Sequence, residues 1–296
     1  MLSVLLFSSV NTKIAAAEIG MEERKVEMTY NVCSPEFEDA YIITETIPNK
    51  IMKSKNNEVY SLGIVTATVF VEETYALVDD EVKVLDSRLL SKAEVEEIGE
   101  ENFEVLSSPA KSEFQRTAAV NSRGKLTISF SGSYSYEGSN GVKCDLTGIG
   151  EWSGFDLSST NGPSTLEDYM GIVWGGDFQT YAISSNIQWN MPANSSFPQI
   201  RLVKSEPMKG VVWGFEELWT GIGAQQAFAK KITTNATIKK NNMTGGGNRT
   251  EATLQYTHVY GSLAGSVSIS VGGGGFSVQN VDKSWSIACI VSNIPY

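Results

Sequence analysis

Period-two alternation runs through the C-terminal part of this chain and limits what it can fold into. Leu126, Ile128 and Phe130 alternate with Thr127, Ser129 and Ser131, and Val267, Ile269 and Val271 alternate with Ser266, Ser268 and Ser270. Successive side chains of a β-strand point to opposite faces, so each run offers one row to a core and one to water. Further strand-like runs cover 142–152, 170–174, 178–189, 200–203, 211–219, 232–239, 252–260 and 284–291. About ten such strands, divided by Gly and Asn, predict an antiparallel all-β sandwich. The glycine clusters at 245–247 and 272–275 read as turns, because neither opens the helix that a phosphate-cradling loop requires.

Charge divides the chain. Residues 1–118 carry 22 Asp+Glu and 11 Lys+Arg, while 119–296 carry 12 of each, so the whole net charge of -11 lies before residue 119. Only 3 of the 27 glycines precede that boundary, and all 6 tryptophans follow it. This asymmetry predicts a mainly β protein of two parts: a small acidic α+β domain at 18–106, a linker at 107–124, and the all-β sandwich at 125–296. The acidic part holds one helix with full end signals. Ser91 is the N-cap, Glu94 completes a capping box, Leu90 and Val95 form a hydrophobic staple, and Gly99 provides the stop. Binding phosphates requires clustered Lys and Arg, so the acidic balance argues against a nucleic-acid partner.

The first residues read as an export signal at 1–17: an apolar run from Leu2 to Val10, then Ala15, Ala16 and Ala17 before Glu18. No later run of about 18 to 20 apolar residues supports a membrane-spanning helix. Secretion into an oxidising compartment makes one disulfide the simplest use of three cysteines, with Cys144 and Cys289 as the pair and Cys33 left over. Three stretches, 91–103 (SKAEVEEIGEENF), 126–138 and 143–148 (KCDLTG), resemble segments of secreted Gram-positive proteins of no assigned function. That resemblance implies an exported bacterial protein and assigns no functional residue.

Candidate chemistry is sparse. The single histidine, His258, lies in a strand-like run and reads as a surface residue, and one histidine argues against a zinc site. No cofactor motif is present, so neither a metal nor a cofactor is expected. Paired carboxylates beside aromatics would suit a glycosidase. On a strand at 211–219, Trp213, Phe215, Glu217 and Trp219 share one face; a second candidate is Trp174 with Asp177, with Glu167 and Asp168 upstream. Trp152 and Trp285 read as core, and Trp174, Trp213 and Trp219 as surface platforms for a ligand. The expected function is a secreted, non-catalytic recognition module for a glycan or a cell-surface protein. A carbohydrate-active enzyme of sandwich fold is the alternative, and a β-pore-forming toxin is third.

Overall fold

The computed structural model describes residues 30–32, 39–48, 51–53, 58–78, 81–103, 105–107, 120–138, 140–156, 167–192, 196–220, 226–243, 248–260, 266–269, 274–281 and 283–296. The expected export signal and Cys33 lie outside them. The protein is mainly β, with antiparallel sheets and one α-helix among the described residues.

The larger sheet has ten strands. Its path runs β10 (Gln179–Trp189), β14 (Gln226–Lys240), β8 (Gly141–Asp156), β7 (Val120–Glu137), β4 (Glu58–Val78) and β2 (Ile42–Ile47), with β3 (Ile51–Lys53), β5 (Glu81–Leu89), β6 (Val105–Ser107) and β13 (Leu218–Thr220) attached beside it. The smaller sheet has six: β1 (Tyr30–Val32), β18 (Ser284–Pro295), β15 (Arg249–Val259), β9 (Glu167–Trp174), β12 (Gly210–Glu216) and β11 (Arg201–Glu206). Between them lies one large core. Val65, Ala67, Val69 and Val71 of β4 and Leu126, Ile128 and Phe130 of β7 join Ile172, Leu254 and Ile287 from the six-stranded sheet. The alternation read from the sequence is the alternation of this sheet: the apolar row of β7 is fully buried, and its Thr and Ser row faces outward.

That core corrects the two-domain expectation. β4, from the acidic half, pairs with β7, from the neutral half, all the way from Tyr60↔Tyr134 to Tyr75↔Val120. Residues 120–124 of the expected linker are the start of β7, and 105–107 run parallel to β8. An α+β unit therefore does not stand apart; its strands extend the same sheet. The helix itself forms as predicted. In α1 (Lys92–Ile98), the Ser91 side chain accepts from the Glu94 N–H, the Glu94 carboxylate accepts from the Ser91 N–H, and Gly99 ends the helix at φ 86°. Leu90 and Val95 are buried together with Phe70 and Phe103, so α1 covers one corner of the large sheet's outer face.

The disulfide expectation also fails. Cys144 and Cys289 are free and buried. Cys289, on β18, sits over Ile128, whose carbonyl lies 4.0 Å from its sulfur. Ile128 pairs with Gly150 of β8, whereas Cys144 lies six residues further along that strand, about 20 Å away and beyond the roughly 7 Å reach of a disulfide's α-carbons.

A third sheet is a two-stranded hairpin, β16 (Ser266–Ile269) and β17 (Phe276–Gln279). It lies apolar side down on the outer face of the six-stranded sheet, where Ile269 and Phe276 meet Tyr169, Val173, Val212 and Val259. Gln255 fastens it: its amide donates to the Phe276 carbonyl at 2.9 Å, and its oxygen accepts from the Phe276 N–H at 3.1 Å. Each described arm has 4 residues, against the roughly 9 to 11 of a membrane-crossing strand. No described helix is long and apolar enough to cross a membrane.

Candidate functional site: a buried carboxylate–histidine–tyrosine cluster

One group of ionisable side chains that the fold brings together lies inside it. Tyr256 and His258 are two apart on β15 and so point the same way, into the space between the sheets. Asp168 is the second residue of β9, the neighbour of β15. Glu217 occupies the bend between β12 and β13, and Glu73 and Trp152 reach in from β4 and β8 of the opposite sheet. Asp168, Glu217, Tyr256 and His258 are each 0% exposed. Room for Tyr256 comes from Gly150, where an added Cβ would lie 3.2 Å from the tyrosine ring.

Hydrogen bonding fixes the proton inventory. Asp168 Oδ1 accepts from the Val259 N–H at 2.8 Å, and Oδ2 lies 2.6 Å from the Tyr256 hydroxyl and 3.0 Å from His258 Nδ1. Glu217 Oε1 lies 2.9 Å from the same hydroxyl, which also accepts from Trp152 Nε1 at 2.9 Å. A hydroxyl carries one proton. The shorter contact, to Asp168, takes it, so the contact to Glu217 needs a proton on Glu217. Burial, and then the Asp168 charge, push the Glu217 carboxyl up to about 8, so it carries that proton at neutral pH. Burial opposes a charge on His258, but Asp168 and Glu217 outweigh it and hold the imidazole pKa well above its ordinary value. His258 Nε2 then faces Glu73 Oε1 at 3.1 Å. Burial, Asp168 and Glu217 likewise raise Tyr256, which keeps its proton.

These directions set a pH dependence. The native state holds a proton on Glu217 between about 4.5, where an unfolded Glu loses it, and about 8. Native Glu217 thus binds more protons than unfolded Glu217 across that window, and stability falls as pH rises through it. His258 acts with the same sign: its contribution is full below about 6.5 and fades as pH rises through its raised native value. In protein unfolded with chelator and refolded without metal, calorimetry should therefore give a melting temperature at least about 5 °C higher at pH 5.5 than at pH 8.5. An equal or higher value at pH 8.5 would remove the proton from Glu217.

The residues singled out from the sequence do not form one surface groove. Trp174 is 1% exposed, with its Nε1 donating to the Phe178 carbonyl at 2.9 Å, and Trp213 is 2% exposed; both belong to the main core. Their alternation with glycine and valine marks buried strands rather than a platform. Asp177 is exposed in a turn at φ 57°. Trp219 stands on β13 opposite Ala227. Glu217 does meet a second carboxylate, Asp168, but the pair is sealed and shares one tyrosine hydroxyl, leaving no space for a sugar between them. Trp152 and Trp285 are core, as expected: each is 1% exposed, and their rings lie 6.1 Å apart. His258 is the clearest correction, a fully buried residue where a surface one was expected. Its strand phase signals this, since Leu254, Tyr256 and His258 share one face.

No protein-family model matches this chain, and none of the curated proteins matches it at a significant level.

Proposed function

We propose that the protein is a non-catalytic recognition module that acts outside the cell and binds polysaccharide through the outer face of its ten-stranded sheet. The supporting observation is a set of uncharged polar rows across that face. Ser131, Thr147, Asn235 and Ser184 stand side by side on β7, β8, β14 and β10. Thr66 and Thr68 of β4 stand beside Ser129 and Thr127 of β7. Neighbouring members hold one another at 2.9 to 3.2 Å, as in Thr147–Asn235, Asn235–Ser184, Thr66–Ser129 and Thr68–Thr127. These bonds fix hydroxyl and amide orientations on a lattice set by the sheet, about 4.8 Å between strands. Hydroxyls both donate and accept, as sugar hydroxyls do, so such a lattice suits a neutral polyhydroxylated polymer.

One aromatic group lies at the margin of this face. Tyr181 on β10 is 66% exposed, with Lys239 Nζ 4.0 Å from the centre of its ring. A ring with an open face can stack on a sugar. Co-sedimentation with insoluble polysaccharides, guided by a glycan array, should show binding without release of reducing sugar. Tyr181→Ala should weaken binding about tenfold, the loss of about 1.4 kcal/mol. Unchanged retention of that variant, or soluble sugar accumulating with wild type, would overturn the assignment.

A further inference from the structure

We infer that Asp168, Glu217 and His258 form a closed site for one divalent transition ion of zinc's class. The three side chains offer ligand atoms within 4.8 Å of one another, all buried. His258 Nδ1 is 3.0 Å from Asp168 Oδ2 and 3.6 Å from Glu217 Oε1. Ligands held about 2.0 to 2.1 Å from a tetrahedral ion lie about 3.3 to 3.5 Å apart, so only small shifts are needed. Mixed imidazole and carboxylate donors at that spacing suit zinc better than calcium or magnesium, which favour all-oxygen shells.

Two further features point to an ion rather than to packed charge alone. Glu217 Oε2 is buried with no hydrogen-bond partner among the described residues, so it is free to turn to the ion as a further donor beside Nδ1, Oδ2 and Oε1. The far side of each other ligand is already braced. Glu73 faces His258 Nε2, leaving Nδ1 for the ion, and the Val259 N–H holds Asp168 Oδ1, leaving Oδ2. This carboxylate–histidine–metal order is the usual outer support of a zinc ligand. The Tyr256 hydroxyl lies against both carboxylates and acts as a positioning residue. Binding releases the His258 Nδ1 proton and the Glu217 proton to solvent. The two ionised ligand carboxylates then balance the ion's two charges, and Glu73 stays outside the ligand set as the acceptor for His258 Nε2.

Because the site is sealed, the ion enters as the sheets close, so loading is coupled to folding. The test unfolds the full-length chain in denaturant with a chelator, removes both, and refolds it with Zn²⁺ or with Co²⁺. After desalting, about one Zn²⁺ per chain is expected, retained against chelator until the protein melts, with Co²⁺ giving the intense visible bands of a tetrahedral site. Asp168→Asn and Glu217→Gln should each lower retained metal at least about tenfold. Wild type that refolds with less than about one-tenth of an ion per chain overturns the site, as do variants that keep the wild-type amount. If neither variant refolds, the Co²⁺ spectrum of wild type decides, and the weak bands of an octahedral ion count against the site.

Discussion

Replacing His258 with Gln should destabilise the protein by about 3 to 5 kcal/mol, the cost of removing one partner from a buried charge pair. His258 is 0% exposed and lies between Asp168 at 3.0 Å and Glu73 at 3.1 Å, on strands of the two opposing sheets. Without the imidazolium, the Asp168 carboxylate keeps the Tyr256 hydroxyl and the Val259 N–H but loses, among the described residues, the only cation beside it. Urea unfolding would register the loss as a lower midpoint. The double variant Asp168→Asn, His258→Gln should lose less than the sum of the two single changes, because the second removes a charge that the first left stranded. A single-variant loss below about 1 kcal/mol would place the cluster in a solvated setting, where ion pairs contribute little.

Trp152→Ala should cost a similar amount for a different reason. The indole is 1% exposed and packs edge-on against Tyr256, His258 and Trp285, with ring centres 6.2, 5.7 and 6.1 Å away. Truncating a buried Trp to Ala loses about 3 to 5 kcal/mol through transfer and cavity terms. It also removes the N–H that the Tyr256 oxygen accepts at 2.9 Å. Trp152→Phe separates the two effects, since it retains an aromatic ring but not the donor. That variant should lose about 1 to 3 kcal/mol and shift the pH dependence assigned to Glu217, whose proton is held by the same hydroxyl. Equal losses for Ala and Phe would mean that the hydrogen bond, rather than the packing, dominates.

What could be read in advance was local. The rows of β7, the capping box of α1 and the core positions of Trp152 and Trp285 depend on near neighbours, and each is where its pattern places it. What could not be read was pairing at long range. The charge boundary near residue 119 reports side chains that face water, and it is blind to the shared inner row of Val65, Ala67 and Val69, which lies beside that of β7. Glu72 and Glu73 show the difficulty at the level of two residues. As a polar pair they look like a strand break, yet β4 runs through them. Glu72 turns outward to Arg88 and Arg123, each at 2.8 Å, and Glu73 turns inward to His258. Trp174 and Trp213 were misplaced because an aromatic stripe looks the same in sequence whether its face meets a ligand or another sheet. Which face is covered depends on a partner strand far away in the chain.

The molecule has two parts with separate roles: an ionisable cluster that joins the sheets from within, and an outward hydroxyl face for the proposed ligand. Polysaccharide co-sedimentation of two variants tests that division directly. Tyr256→Phe alters only the sealed cluster, and at a temperature where it remains folded it should bind as wild type does. Thr147→Arg places a long charged side chain in the middle of the outer rows and should weaken binding at least about tenfold. Binding lost in Tyr256→Phe but intact in Thr147→Arg would contradict the account and return the function to the interior.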